Sequence, residues 1–268
     1  MEKYLAICAI VRNEALYLAE WIDFHRRMGV QRFQIYDNES MDRPDQIVER
    51  LGANVSCEIL RWPTARTWRE TQRSAYMDGV ERLHTYKYVA FIDVDEFLHS
   101  ERGETLPVRL SKFGRDVAAI GVCQRVFGSS GLLAFDGRNV TERFTLRAEQ
   151  SHSDNRWFKS IVRPTEILDF DSSHSVVLKT GQYVLADGRP LRRSMAHPGI
   201  SDRVCHGPLR VNHYLLKSLE EFRWKQARWR GTTLESRYGD EFFFRRDAYS
   251  SAVTDPSLVG VVERDRRN

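Results

Sequence analysis

Apolar and polar positions alternate along the first third of the chain in a way that predicts strand after helix. An unbroken apolar run at 4–11 (YLAICAIV) has the pattern of a strand buried on both faces. The spacing predicts a helix over 14–28, because Leu18, Trp21, Ile22 and His25 recur at i, i+3, i+4 and i+7 and Gly29 closes the run. A second strand is predicted at 31–37. A short helix follows at 44–51, with Pro44 at its start and Gly52 past its end, and a third strand at 55–61. A helix over 66–83 carries Trp68, Ala75, Tyr76, Val80 and Leu83, and a fourth strand spans 87–93. This βαβαβαβ order implies an α/β fold with a parallel sheet and crossover helices.

The rest of the chain changes character. Strand-like runs at 117–127, 158–163, 175–179 and 209–213 are separated by polar loops, one helix is predicted over 216–229, and the tail from 232 is mixed, with frayed last residues ERDRRN. With no internal repeat and no Pro/Ser linker, one domain of 268 residues is expected: a Rossmann-like parallel nucleotide-binding half (about 1–100), an irregular half (about 101–231) and a tail at 232–268. No apolar run reaches the ~18 residues of a membrane helix. The first apolar run is too short for a signal-peptide core, so a cytoplasmic protein is expected.

Charge adds little. The 41 basic residues, of which seven are lysine, exceed the 37 acidic ones by four, which suits small phosphorylated ligands without requiring nucleic acid or membrane. The four cysteines are far apart and form no CxxC. Cys8, Cys57 and Cys123 lie in apolar runs as reduced core residues do.

The candidate chemistry lies at strand ends, where open parallel sheets bind ligands. Strand one ends in Arg12-Asn13-Glu14, strand two in Asp37-Asn38-Glu39-Ser40, and strand four in Asp93-Val94-Asp95-Glu96. Asn13 could instead cap the next helix, and Asp37-Asn38 could be turn residues. Asp93 and Asp95 form the sharpest signal. Two carboxylates at i, i+2 leaving a buried strand can share one hard cation, Mn²⁺ or Mg²⁺, with a diphosphate; a solvated turn is the alternative. Phosphoryl transfer through an aspartyl nucleophile is set aside, because that plan places its motif on the first strand.

Two later clusters add to this. Asn212-His213-Tyr214 precedes Lys217, Ser218, Glu220 and Glu221, so His213 could be a third metal ligand and Lys217 a diphosphate partner, or His213 a structural histidine. His174 is the other late candidate ligand. Lys159 and Arg163 could contact phosphate or acceptor, or edge a solvated strand.

Taken in order, IVRNEALYLAEWIDFHRRMGV, IYDNES, YVAFIDVDEFL, VFGSSG and NHYLLKSLEEFRWKQARWRG resemble the glycosyltransferases of family 92 and related family 2-like enzymes, over roughly residues 5–231. The resemblance implies a GT-A fold, a nucleotide-sugar donor (commonly a UDP-sugar), a divalent metal and inversion at the transferred sugar. On that reading Arg12, Asn13 and Glu14 flank the nucleotide and Asp37 meets base or ribose. Asp93 and Asp95 hold the metal with His213 (alternatively His174), and Lys217 assists. The general base is unassigned, with Asp136, Glu142 and Asp154 as weak candidates. The absence of a membrane anchor points to a bacterial-type cytosolic enzyme of surface polysaccharide synthesis, with a glycan or glycolipid acceptor and peripheral membrane contact at most. A catalytically silent nucleotide-sugar binder is the first rival. Nucleic-acid binding through RWKQARWR at 223–230 is the second; it is disfavoured because Trp224 and Trp229 do not share a helix face.

Overall fold

The computed structural model describes residues 2–227 and 239–262. The described residues divide into two compact units: those of Met1–Gln124 and Ser153–Val211 form the first, and those of Arg125–His152 and Asn212–Asn268 the second.

The first unit opens as the apolar pattern requires. β1 (Leu5–Val11) is buried at every position and lies between two parallel neighbours. α1 (Ala15–Arg27) buries Leu18, Trp21, Ile22 and His25 on one face and ends at Gly29, whose φ of +93° favours glycine. β2 (Arg32–Asp37) is followed by α2 (Pro44–Leu51), with the expected Pro44 start, and then by β3 (Cys57–Arg61). α3 (Trp68–Arg82) begins in a capping box: Thr67 Oγ1 accepts from the Glu70 amide, and the Glu70 carboxylate accepts from the Thr67 amide. Gly79 allows this helix onto the sheet, because a Cβ there would stand 2.6 Å from Cys8 Sγ. β4 (Tyr88–Phe91) completes the first four strands.

The chain then continues through β5 (Glu96–Ser100), α4 (Leu106–Leu110) and β6 (Val117–Val126), whose last two residues enter the second unit. The second unit begins with α5 (Val140–Arg143) and β7 (Leu146–Arg147). The first unit resumes with β8 (Phe158–Val162), β9 (Ile167–Phe170), β10 (Val176–Leu178), β11 (Gln182–Leu185), β12 (Arg193–Ser194), β13 (His197–Ser201) and β14 (Leu209–His213), which runs into the second unit. Among the described residues the main sheet has nine strands, in the order β3-β2-β1-β4-β8-β6-β14-β5, with β11 beside β6. The first four are parallel as expected. β8 departs from that expectation by running antiparallel to both β4 and β6, so the whole sheet is mixed.

The order places β1 between β2 and β4, so the strand sequence reverses direction at the β1/β4 pair. The crevice beyond the carboxyl ends of these two strands is the topological switch point at which open α/β sheets bind ligands.

Within the second unit, α6 (Leu219–Ala227) and α7 (Asp240–Ser250) pack Leu219, Phe222 and Phe243 into a small apolar cluster, and β15 (Val253–Thr254) pairs with β7. The mixed tail expected from 232 thus contains an ordered helix. The family-like stretch LKSLEEF has a local structural use. Ser218 Oγ accepts from the Glu221 amide, the Glu221 carboxylate accepts from the Ser218 amide, and that carboxylate takes a bidentate pair of bonds from Arg143 at 2.6 and 2.9 Å. The helix starts at Leu219, so Lys217 stands in the preceding turn with φ +56° and not on the helix. Trp229, Arg230 and the last residues ERDRRN lie outside the described residues.

His25 gives the core of the first unit a pH response. Its Nδ1 donates to the Trp21 carbonyl at 2.8 Å and its Nε2 accepts from the Leu98 amide at 3.0 Å, so the ring is neutral. Burial, with a further contribution from nearby His99, holds its pKa down to about 3. The unfolded chain therefore binds a proton that the folded chain refuses between about pH 6.5 and 3. Stability should be full above pH 6.5 and fall by about 1.4 kcal/mol per pH unit below it from this residue alone. Urea unfolding at pH 7.5, 6 and 5 checks this: a His25→Gln variant should lose that part of the slope, and an unchanged slope would remove His25 as its source.

Candidate active site

Three polar segments converge at the switch point. The first two brace each other. Arg12, after β1, donates to Asn38 Oδ1 at 3.2 Å, and buried Asn38 donates to the Trp62 carbonyl and to Thr64. The Asn13 amide donates to Ser40 Oγ at 2.9 Å, while Asn13 Oδ1 accepts from the Met41 amide at 2.7 Å. Asn13 is therefore not the helix cap that its position allowed. Glu14 occupies that position without a capping bond, and Asp42, from the facing loop, accepts from the Ala15 amide instead. Asp37 Oδ1 accepts from the Ser40 amide, which makes it a turn residue. Its side chain also lines a cleft of about 470 Å³ together with Glu39, Arg43, Asp45 and Arg61.

The third segment is a tight turn between β4 and β5. The strand predicted to run to 93 stops at Phe91, and Glu96 starts a strand that the apolar pattern did not single out. The Glu96 amide donates to the Asp93 carbonyl at 3.0 Å and the Glu96 carboxylate accepts from the Asp93 amide at 2.9 Å, which closes the turn. Gln124 donates to the other Glu96 oxygen at 2.7 Å. Lys159, on β8, places Nζ 2.7 Å from Asp93 Oδ2 and 3.2 Å from Glu96 Oε2. Its side chain is 1% exposed, whereas the Asp93 carboxylate is 37% exposed. Burial alone would strip the Lys159 proton, but Asp93 and Glu96 outweigh it and push the pKa up, so the ammonium is permanent. Burial and the Asp93 charge keep the neighbouring Tyr76 phenol neutral.

Lys159 is thus neither a solvated strand edge nor an exposed phosphate contact. Asp95 is only 7% exposed, which does not fit the solvated turn that was the alternative reading. At the turn the carboxylates of Asp93 and Glu96 meet the Lys159 ammonium.

Two carboxylates at the turn, one of them partly exposed, fit a hard divalent cation that takes one or two carboxylates and completes its shell with water and phosphate oxygens. Among the described residues no three His, Cys, Asp or Glu side chains group to hold a metal.

Residues 3–186 match glycosyltransferase family 92. The chain belongs to this family. A family 92 protein of Ricinus communis is 31% identical over 228 residues, covering 82% of this chain and 37% of the relative; one of Oryza sativa subsp. japonica is 29% identical over 227 residues, covering 82% and 34%. The chain therefore spans about a third of the length of these relatives. A likeness to S. aureus TarS residues 1–349 in complex with UDP has a TM-score of 0.39 at 14% identity, covering 60% of this chain and 47% of that one, too distant to carry function.

The remaining residues expected at the site of this family 92 chain are divided between the two units. His174 belongs to the first unit, where its Nδ1 donates to the Phe158 carbonyl at 3.0 Å and its ring meets Trp157. His213 ends β14 in the second unit, and buried Lys217 lies in the same unit. Asp136 and Glu142 are in the second unit and Asp154 in the first. Burial would raise the Asp136 pKa, but Arg138 and Arg143 hold it below the ordinary range, which disfavours a role as base. Glu96 is the partner that sequence reasoning left without a site role, and Lys159, read there as a phosphate or acceptor contact or a solvated strand edge, is its counter-ion; the signal was a lysine inside the apolar run WFKSIV, where a charge needs a buried counter-charge.

Lys159→Met should cost about 3–5 kcal/mol, because it leaves Glu96 charged and buried without a counter-ion. The double variant Lys159→Met/Glu96→Gln should recover part of that loss. Denaturant unfolding of the set measures it, and a loss under about 1 kcal/mol for the single variant would show the ammonium to be dispensable.

Proposed function

We propose that this chain carries a GT-A-type, metal-dependent glycosyltransferase domain. It moves a sugar from a nucleotide-sugar, a UDP-sugar first, to a hydroxyl of a glycan or glycolipid with inversion. The observation that carries the reading is the acidic turn at Asp93–Glu96, placed at the β1/β4 switch point in a chain of family 92. A partly exposed carboxylate such as Asp93 repels a diphosphate unless a cation intervenes. Asp93 and Asp95 are the residues to hold Mn²⁺ or Mg²⁺. When bound, that cation would supply charge compensation to the departing nucleoside diphosphate.

The protein's own contribution is placement. Lys159 fixes the Asp93 carboxylate by one oxygen. The Arg12–Asn38 and Asn13–Met41 bonds hold the two loops beside the Asp37 cleft, where base or ribose would lie. Transfer then needs the acceptor oxygen to bond to the anomeric carbon as the bond to diphosphate breaks, with the hydroxyl proton leaving to a base.

Thermal shift with UDP-, GDP- and CDP-sugars, with and without Mn²⁺, tests the class, since a ligand of the folded state raises its melting temperature. UDP-sugars with Mn²⁺ should give the largest rise. Asp37→Ala should weaken UDP by about 1.5–3 kcal/mol, the range for a hydrogen bond to a charged group. Asp95→Asn should remove the Mn²⁺ contribution while the protein stays folded. Equal responses to all three nucleotides, insensitive to Mn²⁺ and to both substitutions, would overturn the reading.

A further inference from the structure

Register fixes where Lys159 stands. β8 lies between β4 and β6, with Ser160 opposite Phe91 and Lys159 opposite Val122. β4 ends at Phe91, so the same register carries Lys159 level with Ile92, beside the Asp93–Glu96 turn. The side chain is 1% exposed and cannot swing into water. Its Nζ donates to Asp93 Oδ2 at 2.7 Å and stands 3.2 Å from Glu96 Oε2, and that Glu96 oxygen also accepts from the Asp93 amide at 2.9 Å. Moving the ammonium off either carboxylate would leave a buried charge unpaired. The Asp93 carboxylate therefore faces the crevice with its Oδ2 already engaged by a fixed cation.

That constraint has a chemical consequence for any divalent ion that Asp93 would hold. A carboxylate can give a cation one oxygen or both. Ca²⁺ gathers roughly six to eight oxygens in a loose shell and readily takes both from one carboxylate. Mg²⁺ and Mn²⁺ prefer a compact octahedral set, in which a carboxylate supplies one oxygen and water or phosphate the others. A short, charge-assisted bond from a buried ammonium to Oδ2 opposes the first mode and is compatible with the second.

We propose that Lys159 is a specificity-determining residue: by holding Asp93 Oδ2 it makes Asp93 a one-oxygen ligand and turns the site against Ca²⁺ in favour of Mn²⁺ and Mg²⁺. The assignment rests on the metal-dependent transferase reading. Lys159 acts through Asp93 and touches neither donor nor acceptor. Were it only the counter-ion that lets Glu96 be buried, removing the two charges together would leave the choice of cation as it was. The two roles are therefore separable by a variant that removes both.

Calorimetric titration of UDP into the protein, with an excess of Mn²⁺, Mg²⁺ or Ca²⁺ and in a metal-free arm with chelator, reads the preference as the gain in UDP affinity that each cation gives. In the wild type Mn²⁺ and Mg²⁺ should tighten UDP, and Ca²⁺ should do so about tenfold less. Lys159→Met/Glu96→Gln removes one charge of each sign, so the net charge of the turn is unchanged. Each protein is referred to its own metal-free arm. The gap between Mn²⁺ and Ca²⁺ should narrow about tenfold in the double variant, the scale on which partners of a metal ligand act. Should that variant fail to fold, Lys159→Gln, which keeps a donor but drops the charge, carries the same expectation. A gap that persists in the variant makes Lys159 a structural counter-ion and overturns the proposal, while the metal-dependent reading stands. Ca²⁺ serving the wild type as well as Mn²⁺ does the same. UDP binding that no cation alters overturns the metal-dependent reading and the proposal together, as does the absence of UDP binding in every arm.

Discussion

A buried ammonium cannot be left without counter-charge, and in the first unit that constraint organises the site. Lys159 is sealed from water, so the carboxylates of Asp93 and Glu96 must reach it from the next strand. β4 and β8 are paired antiparallel with Phe91 opposite Ser160, and the chain must turn just after β4 to bring both carboxylates round. Glu96 then serves three purposes: it closes the turn on the Asp93 amide, takes the Gln124 amide and neutralises Lys159. No member of this set can be replaced without leaving another buried and unsatisfied.

The same arrangement leaves the Asp93 carboxylate partly exposed beyond the end of β4. One cation serves Asp93 and Glu96, and the more exposed of the two, Asp93, meets Lys159 through Oδ2 at 2.7 Å. An interior built for stability alone would match the charges or dispense with them, since buried ion pairs seldom outperform apolar packing. A partly exposed carboxylate at a topological switch point suits a site for a cation or a donor.

Much of this was legible in the sequence, and unequally so. The run YLAICAIV, the Leu18/Trp21/Ile22/His25 stripe and the Pro44/Gly52 pair have one sensible reading each, because burial on both faces, helical spacing and backbone conformation leave few alternatives. Asp93 and Asp95 stand out in the sequence for a related reason: carboxylates rarely follow a buried strand by accident. β5 was missed because Glu96 and His99 break the apolar pattern of a strand whose polar residues are satisfied by distant partners. Lys159 was ambiguous because a lysine's neighbours across a sheet depend on strand order, and an antiparallel β8 beside β4 is not implied by local pattern. The His174 ring, read as an alternative metal ligand, lies against Trp157 and His197, neighbours that the local pattern does not imply.

The loops at the ends of β1 and β2 add the last constraint. Asn13 and Glu39 both adopt left-handed backbone, at φ +53° and +56°, a conformation that costs a non-glycine residue energy and persists only where its surroundings impose it. Here they do so reciprocally: Asn13 bonds to Ser40 and Met41 through its amide and its side chain, and Glu39 accepts from Thr64. Residues that sequence reasoning assigned to a nucleotide thus spend their polar atoms on one another. Polar groups fixed in this way lose little entropy when a ligand arrives, so a nucleotide beside Asp37 would meet loops whose shape is already set. Affinity there would come from preorganisation more than from the number of direct contacts.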